Sequence, residues 1–165
     1  MALSSESSTL LSLEQVAQMK EAKVAIVYTE WNDAIIREQL AGCHRILKQA
    51  HAICVGEYCV PGAFEIPFAC RQVYETKAGR EECPEAIIAF GAVIRGGTPH
   101  FEYVCKAVTE GITLLNTSLN IPVIFGVLTL DTEQQAWERL GGIHGHKGEE
   151  AAIAALKMIH FNRSL

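Results

Sequence analysis

The sequence has 165 residues, 49% hydrophobic and 20% charged, which suits one globular domain with its own core. A formal net charge of −5 leaves no basic footprint for nucleic acid, and no apolar run approaches the ~18 residues that cross a bilayer, so neither nucleic acid nor membrane is expected as a partner. Residues 1–20 lack the cationic start and apolar block of a secretory leader, and six cysteines (Cys43, Cys54, Cys59, Cys70, Cys83, Cys105) form no Cys-x-x-Cys pair; together these features predict a cytoplasmic protein with reduced thiols.

Taken in order, residues 1–22 read as a Ser-rich N-terminal arm, weakly helical around positions 13–19, with little core of its own. Residues 23–165 read as a single α/β domain, since no repeat or linker interrupts them. Val24-Ala-Ile-Val-Tyr28 is a continuous apolar run of the kind found in sheets covered on both faces, and predicts the first strand. A turn follows, with Asn32 placed to cap a helix whose apolar positions Ile35, Ile36, Leu40, Cys43 and Leu47 keep a helical period. A second strand is expected near residues 53–58, then the turn Val60-Pro-Gly-Ala-Phe-Glu-Ile-Pro67 into a helix ending near Gly79. Ala86-Ile-Ile-Ala-Phe90, bounded by Pro84, predicts a buried third strand. Gly96 and Gly97 end it, Thr98 fits an N-cap and Pro99 the first position of a helix running to about Leu115. Val123-Ile-Phe-Gly-Val-Leu128 predicts the fourth strand. Asp131 or Thr132 is expected to cap a short helix, because a Gln lies three residues beyond each. That helix carries Glu138 and Arg139 and stops at Gly141-Gly142; Gly145-His-Lys-Gly148 reads as a loop, and a last helix runs from Glu149 to about His160.

Strands alternating with helices imply right-handed βαβ units around a parallel sheet of four main strands. In such sheets ligands lie beyond the carboxyl ends of the strands. The loops at Trp31-Asn32, 62–65 and 96–100, and the segment after Phe125, all fall at that edge. The most telling is Gly91-Ala-Val-Ile-Arg-Gly-Gly-Thr-Pro-His-Phe-Glu-Tyr-Val104. A strand, a glycine turn and a helix start place free backbone N–H groups at the positive end of a helix, which is a ready anion site. His100 stands just inside that helix, and an imidazole beside a phosphate cradle suggests proton transfer on a phosphorylated substrate. The stretch lacks the Gly-Lys-Ser/Thr of a P-loop and the spaced glycines of dinucleotide folds, so nucleoside triphosphates are not expected.

Other positions carry two readings each. Trp31 is either packing or a plate that stacks on a flat ring. Glu65 either complements a helix dipole or accepts hydrogen bonds from a polyol. Arg139 is either a solvated helix end or a two-pronged phosphate ligand. His144 and His146 invite a metal reading, but no third ligand has sensible spacing, so exposed loop histidines are expected.

Glu30-Trp-Asn32, the 60–67 turn, the 91–104 stretch, and Gln135-Ala-Trp-Glu-Arg139 with Gly145-His-Lys-Gly148 resemble the lumazine synthase family, in order and with the expected spacing from about Lys23 to Phe161. The resemblance implies a flavodoxin-like three-layer α/β sandwich, assembled as a homo-oligomer: a pentamer, in some members twelve pentamers forming a 60-subunit shell. It also implies the condensation of 5-amino-6-(D-ribitylamino)uracil with 3,4-dihydroxy-2-butanone 4-phosphate in riboflavin biosynthesis, without metal or organic cofactor, and riboflavin synthase as a candidate partner. Carried over by motif, Trp31 stacks on the pyrimidine and Ala63, Phe64 and Glu65 bind the ribityl chain. Ala92, Val93 and Ile94 line the ring pocket with backbone groups, and Phe125 belongs to the ring site. Gly97, Thr98 and Arg139 hold phosphate, and His100 transfers protons. Two positions depart from the family pattern: Trp31, where Phe is frequent, and His146, where the family often has Asn. The rival reading is a non-catalytic flavin- or lumazine-binding shell protein, for which neither His100 nor Arg139 would be needed.

Overall fold

The computed structural model describes Met19 and residues 21–165. The helical tendency expected across 13–19, and nearly all of the Ser-rich arm, lie outside the described residues. Strand β1 (Lys23–Thr29) lies between β2 (Ile53–Val60) and β3 (Ala86–Ile94), and β4 (Val123–Leu130) extends the sheet beyond β3. All three pairings are parallel, with Val24 opposite both Cys54 and Ala86, and Ile87 opposite Val123. The four-stranded parallel sheet expected from the apolar runs is therefore present.

Alternation within each run explains its unbroken apolarity. Val24, Ile26, Ile88 and Phe90 face helices α1 (Asp33–Gln49) and α5 (Lys147–Arg163), together with Met19 and Ala22. Ala25, Val27, Ile87 and Ala89 face α2 (Ile66–Lys77) and α3 (His100–Ser118) on the opposite side. Both faces of the central strands are buried, so a polar residue has no place on either. A third apolar cluster (Ile35, Ile36, Ala92, Leu128, Leu130, Ala136, Leu140) sits under the short helix α4 (Gln134–Glu138) at the carboxyl end of the sheet.

Helices α1 and α5 cross closely because small residues allow it. A Cβ on Gly148 would lie 2.2 Å from the Gln39 carbonyl oxygen. Fully buried Gln39 donates from Nε2 to the Gly126 carbonyl at 2.7 Å, tying α1 to edge strand β4.

Three local expectations are corrected. Helix α3 begins at His100, with Pro99 rather than Thr98 at the N-cap position and no side chain capping it. The Glu102 N–H donates to the Pro99 carbonyl at 3.1 Å, so the first turn closes on the backbone without the hydroxyl cap. Neither Asp131 nor Thr132 caps α4, whose N-cap position is Glu133 without a side-chain cap; instead Gln135 reaches back to accept the Asp131 N–H at 2.8 Å. Residues after α4 form a small antiparallel hairpin, β5 (Leu140–Gly142) with β6 (Gly145–His146), where a plain loop was expected. Gly141 and Gly145 adopt φ of 103° and 75°, conformations that make so tight a reversal possible.

Candidate active site

A cleft of about 810 Å³ opens at the carboxyl ends of β1, β2 and β3. Its lining comes from three of the four segments that the sequence marks out: Trp31 and Asn32 after β1, residues 61–65 after β2, and Ala92, Val93 and Ile94 with His100 and Val104 around the end of β3; the segment after Phe125 does not line it. Ala63, Phe64 and Glu65 form a single turn of 3₁₀ helix leading into α2. Trp31 is 72% exposed and Phe64 61%, so neither ring is packed within the chain. Gly62 keeps the cleft passable: a Cβ there would stand 3.3 Å from Glu65 Oε2 and 3.5 Å from the Trp31 ring.

Asn32 occupies the N-cap position of α1 but makes no side-chain cap, contrary to expectation. Its backbone is left-handed, φ 62° and ψ 44°, a conformation that Asn tolerates better than most residues. Its amide is used elsewhere: Nδ2 donates to the Ala92 carbonyl at 2.8 Å. One side chain thus joins the loop after β1 to the end of β3, where the chain order of the sheet reverses. Asn32, Thr29, Pro61, Gly62 and Val104 are lining residues that motif reading did not single out. All but Thr29 lie within the quoted motifs, and Thr29 precedes one, which was the available signal; Asn32 was placed at the ligand edge, but its side chain was read only as a cap.

His100 is the first residue of α3 and is exposed at the cleft. No side chain caps the helix; the Glu102 N–H donates to the Pro99 carbonyl at 3.1 Å, and the N–H groups before it are left without a side-chain cap. Gly97 and Thr98 lie in the 96–99 loop, between the lining residues Ile94 and His100. Beside it, Arg95 donates from Nε to Asp131 Oδ1 at 2.7 Å and from Nη1 to Glu102, and its guanidinium stands 4.1 Å over the Phe101 ring. These hydrogen bonds, Asp131 first and Glu102 second, raise the Arg95 pKa, and the Arg95 bond lowers that of Glu102.

Phe125 and Arg139 do not line this cleft. Phe125 projects from β4, 41% exposed. Arg139 ends α4, and its Nη1 donates to the Gln135 carbonyl at 2.9 Å. His146 is not an exposed loop histidine but a buried one. Its Nδ1 accepts the Glu149 N–H at 3.4 Å, capping α5, while Nε2 faces Glu38 Oε1 at 3.1 Å. Gly42 makes room for the ring, since a Cβ there would meet Cε1 at 2.1 Å. Among the described residues, no three of His, Cys, Asp or Glu are grouped to hold a metal ion.

The family model of 6,7-dimethyl-8-ribityllumazine synthase matches residues 21–163, spanning every element and the whole cleft. The chain belongs to the lumazine synthase family. A relative from Parabacteroides distasonis, named 6,7-dimethyl-8-ribityllumazine synthase, is 43% identical over 89% of this chain and 90% of its own length. Proteins of the same name from Porphyromonas gingivalis and Bacteroides fragilis are 42% and 45% identical, covering 91% and 87% of this chain. The α/β sandwich around a parallel sheet agrees with the flavodoxin-like fold of lumazine synthases.

Proposed function

We propose that the protein is an enzyme of riboflavin biosynthesis, a transferase that condenses 5-amino-6-(D-ribitylamino)uracil with 3,4-dihydroxy-2-butanone 4-phosphate to 6,7-dimethyl-8-ribityllumazine, phosphate and water. The observation that carries this reading is the convergence of Trp31, Phe64, Glu65, the Ala92–Ile94 strand end and His100 on one cleft, in a chain of this family. In this reading the exposed Trp31 ring stacks on the pyrimidine. Ala63, Phe64 and Glu65 take the ribityl chain, and backbone groups of Ala92, Val93 and Ile94 meet the ring edge. Gly97 and Thr98 present backbone N–H groups to the phosphate at the open start of α3. The amine attacks the ketone and the adduct loses a first water to form an imine, phosphate leaves, and attack of the ribityl-bearing amine on the remaining carbonyl closes the ring with loss of a second water. Each step moves protons, and His100 is the group at the cleft suited to carry them. No enzyme nucleophile is required, and holding two substrates in register supplies much of the rate.

Because Phe125 and Arg139 stand apart from the cleft of their own chain, we read the site as shared. In a head-to-tail ring of five, these two residues complete the cleft of the next subunit, Arg139 neutralising the leaving phosphate. The exposed apolar side chains Phe68, Tyr103, Phe125 and Ile143 give such a ring something to bury. Cytoplasmic location, a 60-subunit shell of such rings, and riboflavin synthase as a partner are the finer expectations of the same reading. The test is direct. Purified protein mixed with both substrates should generate lumazine fluorescence and release one phosphate per product. Folded protein that yields neither would overturn the proposal.

A further inference from the structure

We propose that Arg95 is a positioning residue, a buckle that closes the 96–99 loop by gripping Glu102 and stacking on Phe101 in the first turn of α3, and that pins this loop to the end of β4 through Asp131. The inference rests on the reading that this loop holds the substrate phosphate.

The base of the buckle is fixed. The Arg95 N–H donates to the Leu130 carbonyl at 2.8 Å, continuing the β3–β4 ladder by one residue, so the side chain leaves from an anchored backbone. The loop it spans has little else to hold it. Hypothetical Cβ atoms on Gly96 and Gly97 meet nothing within 4 Å, and no side chain caps the helix that follows. Arg95 Nε reaches Asp131 at the start of the segment before α4, Nη1 reaches Glu102 in the first turn of α3, and the flat face covers Phe101. Only a planar, forked cation can make all three contacts at once. Two carboxylates also neutralise it, so Arg95 is not a free charge waiting for phosphate. Its side chain is 44% exposed, and ion pairs so exposed add little stability. Its effect is therefore on geometry: it fixes where His100 and the loop N–H groups stand relative to each other and to β4.

The experiment uses the full-length chain and measures KM for each substrate, with thermal midpoints. Arg95→Ala should raise KM for the butanone phosphate about tenfold, as small misplacement of a binding group does, while KM for the pyrimidine and the midpoint change little. Arg95→Lys should recover only part, since an ammonium cannot bridge and stack together. Glu102→Ala and Asp131→Ala decide the matter by sign. On charge alone, or if Arg95 bound phosphate directly, losing a carboxylate would tighten the phosphorylated substrate. The buckle requires that both variants weaken it. Gly97→Asp serves as control, because its side chain enters open space and brings a negative charge to the loop. If it leaves the phosphate KM unchanged, the loop is not the phosphate site and both readings fall. If it raises that KM while the carboxylate variants lower it or leave it alone, the buckle alone is wrong.

Discussion

At the scale of single residues, the proposed chemistry puts its heaviest demand on His100. His100→Ala should slow turnover by less than the usual ~10²-fold of an acid–base group, because binding both substrates already supplies much of the rate. Pyrimidine binding should survive, and a variant with unaltered turnover would remove His100 from the mechanism. Trp31 can be read optically. In a Trp137→Phe background, needed because Trp137 is itself 38% exposed, adding the pyrimidine should quench or shift Trp31 emission. A silent titration with intact binding would mean that the ring does not meet the ligand. Trp31, Glu65 and His100 were legible because each interrupts a structural pattern with a side chain that the fold does not need. Asn32 and His146 were not. Cap chemistry describes where Asn prefers to point, yet the left-handed backbone turns this amide to the Ala92 carbonyl instead. A histidine among glycines looks exposed, and nothing local says that Gly42, over a hundred residues earlier, has cleared a socket for it.

At the scale of elements, close helix packing predicts which glycines tolerate a methyl group. Gly148→Ala would drive its Cβ into the backbone of Gln39 and should cost about 1–3 kcal/mol, seen as a lowered thermal midpoint. Gly96→Ala, whose Cβ meets open space, should leave that midpoint where it is. Equal effects would mean that α1 and α5 can separate at no cost. The contrast is invisible in sequence, where both are glycines near a helix start. Strands were far easier: β1 and β3 lie between helical layers, so burial on both faces wrote each as an unbroken apolar run. The β5–β6 hairpin left no such trace, because strands of three and two residues are too short to show alternation. Its location was marked only by glycines, which signal a turn without saying what flanks it.

At the scale of the whole molecule, the division of the candidate site predicts complementation. His100→Ala and Arg139→Ala chains, each poor alone, should regain activity when refolded together, since about a quarter of junctions then carry both intact halves in a head-to-tail ring. If mixed rings form and activity merely averages, one chain holds the entire site. The sheet, its loops and the separation of Arg139 from the cleft could be placed from sequence, since Arg139 lies at the far end of the helix after the fourth strand, whereas the distance itself could not, because it depends on where a helix of five residues ends in space. That distance has a consequence for dilution. An enzyme whose cleft is complete within one chain keeps its specific activity at any concentration. In the proposed ring half of the site arrives by association, so mass action would govern catalysis as well as assembly. As the protein is diluted through the dissociation range of its ring, activity per chain should fall toward that of the Arg139→Ala variant while far-ultraviolet circular dichroism, reporting the fold of each subunit, stays the same.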